Sequence, residues 1–324
     1  MPVADIRPLR HQLAGLDVGV VSFDAPLAEH CTWRIGGPAD LLVEPTAAEQ
    51  VARTVAFAHR HALPLVVIGQ GSNLLFADAG VRGIVLKLGA RFSRIERCGM
   101  RISAEGGAWV PAVARLAQRC GLAGLEHIIG IPGTIGGLVL MNGGSQRRGI
   151  GENVRRVRVV ESDGRLAELG REECRFSYRH SALQERGAVV VGVELECTSG
   201  DSRAIRRLLL ADLRERRRKF PRKEPNCGSV FLSTSEMHAS VGPPGRIIEE
   251  AGLKGSRVGG AEVSSRHANF IVNTGGASAA DVLGLIARIR TAVRERIGFE
   301  LECEVRYVTP AGEVVPAHRA ASER

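Results

Sequence analysis

The architecture of this chain is indicated most clearly by one segment near its middle, Gly130-Ile131-Pro132-Gly133-Thr134-Ile135-Gly136-Gly137. Its glycines relax the backbone, and the proline between two of them fixes φ and stiffens the loop. A rigid loop of this kind can lie against a flat ring system or a pyrophosphate. A tight connection between two packed elements needs the same residues, so the segment by itself leaves both interpretations open.

A second glycine-rich loop follows a predicted strand at 65–68 and reads Gly69-Gln70-Gly71-Ser72-Asn73-Leu74-Leu75. Glycines let backbone N–H groups approach an anion closely. The loop is not a P-loop, because the Lys-Ser/Thr ending is missing, and it is not a Rossmann fingerprint, because Leu74 stands where the third glycine belongs. Either loop alone fits a plain turn, but two loops of different pattern favour a dinucleotide site of a non-Rossmann type.

Helices and strands of mixed order surround these loops. Thr46 and Glu49 have capping-box spacing, and Ser278 with Asp281 repeats it ahead of an apolar stripe that ends at Gly298. The other predicted helices are 109–120 and an arginine-faced helix marked by Ile205, Leu208, Leu209 and Leu213. We predict strands at 65–68, 82–88, 154–160 and 166–169 (as a hairpin), 189–196 and 301–308, and a frayed end at 317–324. This order predicts an α+β protein of two or three layers.

The composition excludes several classes of protein. With 324 residues the chain exceeds a typical single domain, and no apolar run reaches the roughly 20 residues that span a bilayer. Residues 1–20 lack the apolar core of a signal peptide, so we expect a cytoplasmic protein. The net charge of +9 is nearly all arginine, since the only lysines are Lys87, Lys219, Lys223 and Lys254. This bias fits an arginine-favouring genome, and we expect no nucleic-acid partner.

The cysteines indicate neither a disulfide framework nor a metal site. The chain has seven of them, an odd number, at Cys31, Cys98, Cys120, Cys174, Cys197, Cys227 and Cys303. They are widely scattered and form no C-x-x-C pair. We therefore expect reduced thiols and no metal.

The residues around one serine in the last third of the chain predict that its hydroxyl group is held rigidly. In Asn226-Cys227-Gly228-Ser229-Val230-Phe231 it follows a glycine and precedes apolar residues. A hydrolase would add a G-x-S-x-G motif, which is absent, and the neighbouring Cys227 is interpreted as a small buried residue. Together with a dinucleotide site, this serine suggests an enzyme that protonates a substrate after a hydride transfer. Pattern alone gives no role to Arg179 or Glu304.

Eight segments stand in a specific order along the chain. They are TWRIGGPA at 32–39, GQGSNLL at 69–75, GIPGTIGG at 130–137 with MN at 141–142, YRHS at 178–181, CGSVF at 227–231, EEAGLKG at 249–255, HANFIVN at 267–273 and LECEVR at 301–306. Any one of these is a weak signal, but the ordered series resembles the UDP-N-acetylenolpyruvoylglucosamine reductase (MurB) family of peptidoglycan synthesis. The short spacing between Tyr178 and Ser229 resembles the shorter type, which lacks an extra substrate-capping loop.

The resemblance implies a fold and a domain order. It implies an FAD-binding domain of the PCMH or vanillyl-alcohol-oxidase type, built from two α+β subdomains, and a C-terminal α/β domain that binds substrate. We place an N-terminal extension at 1–24, the FAD-binding domain at 25–199 with subdomains of about 25–88 and 89–199, the substrate domain at 200–303, and a terminal strand and tail at 304–324.

The resemblance also implies a reaction, in which NADPH and FAD reduce UDP-N-acetylglucosamine enolpyruvate to UDP-N-acetylmuramate. Ser229 matches the family's proton donor, and Arg179 and Glu304 match its two supporting positions. The matching cofactor-binding positions are Arg34, Ile35, Gly36, Gly69, Gln70, Gly71, Ser72, Asn73, Leu74, Gly130, Pro132, Gly133, Thr134, Gly136 and Gly137. The expected substrate contacts are Tyr178, Arg222, Lys223, His267 and Asn269.

Two other functions fit the same scaffold. One is a non-catalytic protein that binds a nucleotide or a UDP-sugar, and the other is a flavin oxidase of the same superfamily. The combination of Arg179, Ser229 and Glu304 weighs against both. The expected partners are a small-molecule UDP-sugar enolpyruvyl ether and NADPH, and a monomer is the expected state.

Overall fold

The computed structural model describes residues 6–321. The chain divides into two compact units, each assembled from separated parts of the sequence. The first unit contains Met1–Phe23, Leu41–Gln70 and Gly83–Arg216, and the second contains Asp24–Asp40, Gly71–Arg82 and Arg217–Arg324. The domain limits expected from the family resemblance divide the chain into contiguous segments, whereas these units are assembled from separated segments. The expected limits stay a prediction.

The helices and strands follow one another in mixed order. The α-helices are α1 Arg10–Ala14, α2 Ala48–Arg60, α3 Val110–Arg119, α4 Ile135–Leu140, α5 Ala182–Arg186, α6 Ser202–Lys219, α7 Ser235–Ser240, α8 Pro244–Glu250, α9 Ala279–Ile297 and α10 Ala317–Ala321. The strands are β1 Val20–Pro26, β2 Pro38–Glu44, β3 Leu65–Ile68, β4 Leu74–Phe76, β5 Val81–Lys87, β6 Ile95–Cys98, β7 Arg101–Glu105, β8 Leu122–Ala123, β9 Val154–Val160, β10 Leu166–Gly170, β11 Val189–Glu196, β12 Thr198–Ser199, β13 Arg257–Val258, β14 Ala261–Val263, β15 Ile271–Asn273, β16 Arg306–Val308 and β17 Val314–Pro316.

The first unit is built on two larger sheets. One has the strand order β1-β2-β5-β3, with β3 and β5 parallel, and the other is antiparallel with the order β10-β9-β11-β7-β6. β11 lies between two partners and is buried almost throughout, which explains its run of valines. The short helix α4 packs against β11. The chain therefore places Gly69 directly after β3, and Gly136 and Gly137 on a helix that rests on the second sheet.

The second unit combines two three-stranded sheets with the long helix α9. One sheet has the order β13-β14-β15 and the other β17-β16-β4, in which β16 and β4 run parallel. α9 buries an apolar stripe that includes Val282, Leu285, Ile286 and Ile289, and it packs against β13, β14 and α10. Asp78 joins this framework, because its carboxylate accepts the backbone N–H groups of Ala279 and Ala280 at the start of α9, at 2.7 and 3.1 Å.

Several sequence predictions are confirmed by the structure. The hairpin of β9 and β10 closes through a hydrogen bond from the Gly164 N–H to the Glu161 carbonyl oxygen, at 2.9 Å. Ser278 and Asp281 form the predicted capping box at the start of α9, and Gly298 ends that helix with φ of 68°. These features depend on residues within a few positions of one another, which is why local pattern predicts them.

The capping box expected at Thr46 is wrong. α2 begins at Ala48, its N-cap is Ala47, and no side chain caps it. Gln50, rather than Glu49, reaches back, because its Oε1 accepts from the Thr46 N–H at 2.7 Å and from the Thr46 hydroxyl at 3.1 Å. The Gln50 side chain is fixed in this position by a further bond to Asp17 at 2.7 Å.

Three further predictions, two of them near the C-terminus, need correction. The strand expected at 301–308 is regular only over β16, because the Leu301 carbonyl oxygen and the Cys303 N–H bond to Arg290 and His318 side chains instead of a neighbouring strand. Of the end expected to fray at 317–324, Ala317–Ala321 form α10, and residues 322–324 lie outside the described residues. Leu208, placed on the buried stripe of α6, is 56% exposed.

Two negative observations apply to residues 6–321. No helix in this range combines the length and the apolar character that crossing a bilayer requires. Within the same range, His, Cys, Asp and Glu side chains form no group of three or more that could hold a metal ion.

Candidate functional site

The predicted site residues are divided between the two units. The first unit contains Gly69, Gln70, Gly130, Pro132, Gly133, Thr134, Gly136, Gly137, Tyr178 and Arg179. The second unit contains Arg34, Ile35, Gly36, Gly71, Ser72, Asn73, Leu74, Arg222, Lys223, Ser229, His267, Asn269 and Glu304. Each unit brings its own residues together as follows.

In the first unit the two predicted glycine-rich segments approach each other at Gly69 and Thr134. A Cβ atom added at Gly69 would lie 2.2 Å from the Thr134 hydroxyl oxygen, so a larger residue there would displace the Thr134 side chain. A Cβ atom at Gly136 would lie 3.0 Å from the Gly106 carbonyl oxygen, where the Gly136 N–H already donates at 2.8 Å. The close approach is therefore to a side chain at Gly69 and to the backbone at Gly136.

A cavity of about 70 Å³ lies at this contact. Its lining includes Gly69, Gly106, Thr134, Gly136 and Gly137, together with apolar residues of β3, α4 and β11. Small-molecule sites combine apolar walls with a few polar groups, and they usually measure about 300–1,000 Å³. This cavity has that character and accommodates only part of a dinucleotide.

Tyr178 and Arg179 occupy the tip of a tight turn in the first unit. Ser177 and His180 exchange two backbone hydrogen bonds, at 3.0 and 3.2 Å, and Arg179 adopts a left-handed φ of 55°. A non-glycine residue in that region carries a strain of about 1–3 kcal/mol. The Arg179 guanidinium lies 5.7 Å from the centre of the Tyr178 ring, and that ring is 58% exposed. The turn therefore presents a cation and an aromatic ring together.

Arg216, near the end of α6, is a residue that the sequence reasoning missed. Its side chain covers Gly130, because a Cβ atom there would lie 2.1 Å from the Arg216 Cδ. Burial lowers the pKa of Arg216, Asp212 opposes that shift, and the nearby Arg179 guanidinium lowers it further. In the sequence Arg216 is one of a run of arginines on an amphipathic helix. The only sequence signal of its contact with residue 130 is that this residue is a glycine.

In the second unit, the loop after Gly71 lies against the segment that contains Arg34 and Gly36. Gly71 has φ of 61°, and a Cβ atom there would lie 2.6 Å from the His30 carbonyl oxygen. Arg34 and Gly36 also have positive φ values, 56° and 141°. The Cys31 thiol donates to the Ile35 carbonyl oxygen at 3.2 Å and holds this turn closed. The two predicted cofactor segments of this unit are thus in contact.

Ser229 stands on a turn that is held from behind by Asn269. Gly228 has φ of 83°, and its N–H donates to the Asn226 side-chain oxygen at 3.0 Å. Val230 donates to the Asn269 carbonyl oxygen at 2.9 Å. The Phe231 N–H donates to Asn269 Oδ1 at 2.9 Å, and Asn269 Nδ2 donates to the Phe231 carbonyl oxygen at 3.0 Å. The asparagine side chain therefore replaces a neighbouring strand for Phe231.

Glu304 lies on the chain segment that pairs with this turn. Its N–H donates to the Val230 carbonyl oxygen at 2.8 Å, and Phe231 forms an antiparallel bridge with Cys303. The Glu304 carbonyl oxygen accepts from Asn73 Nδ2 at 3.2 Å. The second unit thus joins Glu304, Asn73 and Asn269 by hydrogen bonds to the turn that carries Ser229.

His267 belongs to a cluster of rings in the second unit. Its ring centre lies 5.3 Å from that of Phe220 and 5.2 Å from that of Phe270. Burial lowers the pKa of His267, and Lys254 and Lys219 lower it further. Nδ1 accepts the Asn269 N–H at 3.3 Å, so the proton of the neutral ring is assigned to Nε2.

The remaining predicted substrate residues differ in their exposure to solvent. Arg222 and Lys223 are exposed. Asn269 is only 4% exposed and its amide is engaged with Phe231, so the structure gives it a supporting role, and a direct substrate contact stays a prediction. Burial raises the pKa of Cys227 well above its ordinary value, which agrees with its interpretation as an unreactive thiol.

Comparison with known proteins gives consistent matches over both parts of the chain. Residues 39–170 match a family model described as an FAD binding domain, and residues 220–308 match the C-terminal domain of UDP-N-acetylenolpyruvoylglucosamine reductase. These matches confirm the predicted fold class, an FAD-binding domain of the PCMH type with a reductase C-terminal domain.

Similar proteins cover nearly the whole chain. UDP-N-acetylenolpyruvoylglucosamine reductase 1 of Corynebacterium glutamicum is 46% identical over 301 residues, which are 93% of this chain and 90% of that protein. The reductase of Heliobacterium modesticaldum is 45% identical over 287 residues, 89% of this chain and 90% of that protein. The crystal structure of the Thermus caldophilus reductase superposes with a TM-score of 0.75 at 33% identity and covers 89% of this chain and 98% of that one. The chain therefore belongs to the UDP-N-acetylenolpyruvoylglucosamine reductase family.

Proposed function

We propose that this protein reduces the enolpyruvyl double bond of UDP-N-acetylglucosamine enolpyruvate, with NADPH and FAD, to form UDP-N-acetylmuramate for peptidoglycan synthesis. The observation that carries the proposal is the similarity to reductases of this name over 93% of the chain. The FAD-binding and C-terminal reductase matches agree with it, because the reaction needs both a flavin site and a substrate site.

The cofactor site is assigned to the glycine loops of both units. FAD, when bound, supplies the hydride that it has received from NADPH. The close approach of Gly69 to Thr134 and the cavity beside Thr134, Gly136 and Gly137 support this assignment in the first unit. In the second unit it is supported by the positive-φ turn of Arg34, Ile35 and Gly36 and its contact with the loop after Gly71. Pro132 and Gly133 would stiffen the first loop.

Ser229 is proposed as the proton donor to the carbon next to the substrate carboxylate. A serine hydroxyl is a very weak acid, so it protonates only a strongly basic carbon that is held within hydrogen-bond reach. The geometry behind it supports this role, because the turn is held by Asn269 on one side and by the Glu304 segment on the other. A backbone turn that is fixed before the reaction lowers the entropic cost of placing the serine for the proton transfer.

Arg179 and Glu304 are proposed to support this proton transfer. A guanidinium presents a planar fork to a carboxylate, and it stabilises the negative charge that grows there when hydride arrives. The positive φ of Arg179 supports the role, since such strain persists where the surroundings or the function require it. Glu304 is placed through its backbone bond to Val230, next to Ser229.

Substrate binding is assigned to Tyr178, His267 and the basic segment with Arg222 and Lys223. The neutral His267 ring, with its proton on Nε2, can donate one hydrogen bond to a phosphate or sugar oxygen without adding charge. We further propose that the protein works in the cytoplasm, where NADPH and UDP-sugars are made, and that it acts as a monomer. Light scattering of the purified enzyme tests the last point.

The test of the function is an anaerobic flavin titration. Purified protein should be yellow or become yellow with FAD, NADPH should bleach it, and the UDP-linked enolpyruvyl sugar should restore the colour. Ser229→Ala should keep the bleaching step and lose the restoring step. A protein that stays colourless after FAD is added would contradict the proposal. Bleached protein that only oxygen reoxidises would identify a flavin oxidase instead, and binding without NADPH oxidation would identify a non-catalytic protein.

A further inference from the structure

The chain continues beyond the part that matches the family's C-terminal domain, and this continuation folds back onto the second unit. The family match ends at residue 308, and β17 and α10 follow it. β17 pairs antiparallel with β16, from Val308 opposite Val314 to Arg306 opposite Pro316. α10 packs against α9, and it buries Ala317 and Ala321. Residues 309–321, called here the C-terminal brace, are therefore an integral part of the unit.

The first turn of α10 binds the two residues that flank Glu304. The Ala317 N–H donates to the Val305 carbonyl oxygen at 3.0 Å. The Cys303 N–H donates to His318 Nδ1 at 2.9 Å. Cys303 is only 4% exposed, so water does not replace this acceptor easily. Without the imidazole, a buried N–H group would lose its hydrogen bond.

The opposite side of the same peptide segment is bound by the Ser229 turn and by the Asn73 loop. Glu304 donates to the Val230 carbonyl oxygen at 2.8 Å and accepts from Asn73 Nδ2 at 3.2 Å. Residues 303–305 are thus held on one side by residues of the proposed site and on the other side by the brace. Because this segment is not part of a regular strand, these single bonds set its position.

The chemistry of His318 suits a permanent acceptor. Nδ1 accepts a hydrogen bond only when it carries no proton, so the ring is neutral with its proton on Nε2. Burial lowers the pKa of His318, and Arg290 from α9, Arg319 from α10 and Arg306 from β16 lower it further, while the Glu302 carboxylate raises it. The surrounding charges therefore favour the form that accepts the Cys303 N–H.

We infer that the C-terminal brace positions Glu304 for the reaction and that His318 is its positioning residue, acting through the Cys303 N–H. The inference rests on the proposed function, since it assigns a support to a residue of that site. His318 does not touch the reacting atoms in this arrangement. It fixes the peptide that carries Glu304 in register with the turn that carries Ser229.

The test compares His318→Leu, which removes the acceptor, with His318→Asn, whose side-chain oxygen can occupy the place of Nδ1. Ile289→Val is the matched control, because it shortens a fully buried side chain of α9 and lowers stability without removing a hydrogen bond of residues 303–305. Stopped-flow measurements follow the two half-reactions separately in each full-length holoenzyme. Hydrogen exchange of the peptide covering residues 301–306 reports the brace directly, independent of turnover.

We expect His318→Leu to slow flavin reoxidation by the enolpyruvyl sugar about tenfold, the loss typical of one misplaced supporting group, while reduction by NADPH changes less than about twofold. His318→Asn should restore most of the rate and of the exchange protection. Equal slowing by Ile289→Val, failure of His318→Asn to recover, or unchanged reoxidation in His318→Leu would each overturn the inference. If the wild-type enzyme is not reoxidised by the sugar, the proposed function fails, and unchanged exchange in His318→Leu would then reject the brace separately.

Discussion

Replacing Asn269 by Asp tests whether a buried amide holds the turn that carries Ser229. The change keeps the oxygen that accepts from the Phe231 N–H at 2.9 Å, but it replaces the Nδ2 donor, 3.0 Å from the Phe231 carbonyl oxygen, with a second oxygen. At neutral pH a buried carbonyl loses its donor, which costs about 1–3 kcal/mol. A carboxylate facing that carbonyl at a position 4% exposed adds to the loss. We expect the free energy of unfolding to fall by about 2–4 kcal/mol in total.

This loss should depend on pH with a definite sign. Burial and the facing carbonyl disfavour the charged form, so the pKa of the introduced carboxyl is raised in the folded state above its unfolded value of about 3.9. A protonated carboxyl can again donate to the Phe231 carbonyl oxygen. The recovered stability is fully present below the unfolded pKa and is lost as the pH rises through the folded pKa. The deficit relative to the wild type should therefore shrink on acidification.

Urea unfolding at a series of pH values measures the deficit, and Asn153→Asp is the matched control. Asn153 is 8% exposed and donates to the Glu196 carbonyl oxygen at 3.1 Å, in the first unit, so the same substitution there removes a similar bond without touching Ser229. Only Asn269→Asp should slow flavin reoxidation by the substrate, by about tenfold or more. A deficit that does not vary with pH, or equal slowing by Asn153→Asp, would refute the reasoning.

Three further predictions concern the cofactor loop, the thiols and the acid side of the stability profile. Gly69→Ala should weaken FAD binding by about tenfold, because the added carbon would lie 2.2 Å from the Thr134 hydroxyl oxygen. The control is Gly192→Ala, where the nearest atom to the added carbon is 3.5 Å away. Equal FAD affinities in titrations of the two apoproteins would contradict this prediction. Burial raises the pKa of Cys227, so a thiol reagent at neutral pH should label the exposed Cys98 first, and peptide mass spectra showing equal labelling would count against the buried assignment. Burial lowers the pKa of His267 below 6.5, so the unfolded state binds more protons, and the free energy of unfolding should fall as the pH drops below 6.5. Urea unfolding at a series of pH values should show a shallower fall in His267→Gln. The same pH dependence in the wild type and the variant would contradict the lowered pKa.

The structure agrees with sequence reasoning where the determining contacts are local. The capping box of Ser278 and Asp281 spans three residues, and the hairpin of β9 and β10 closes within a short turn, so both can be recognised from spacing alone. The failure at Thr46 has the same physical origin. Its spacing to Glu49 is correct, but a bond from the Gln50 side chain to Asp17, 33 residues away, fixes a different partner.

The support of the candidate site could not be predicted in this way, because its contacts are distant in sequence. Asn269 bonds to Phe231 across 38 residues, and His318 bonds to Cys303 across 15 residues. Asn269 could be recognised as part of a family motif, but the motif does not say whether its amide faces the substrate or the backbone. The side chain of Arg216 on Gly130 is a contact across the first unit, and a run of similar arginines conceals it in the sequence.

Three of the groups around the Ser229 turn, Cys227, Cys303 and Asn269, are uncharged. Burial raises the pKa of Cys227 and raises that of Cys303 to about 12, so both thiols are neutral at physiological pH. Asn269 supplies two hydrogen bonds from an uncharged amide. Under the proposed roles, these neutral groups support the turn and leave the electrostatics of the proton transfer to Arg179 and Glu304.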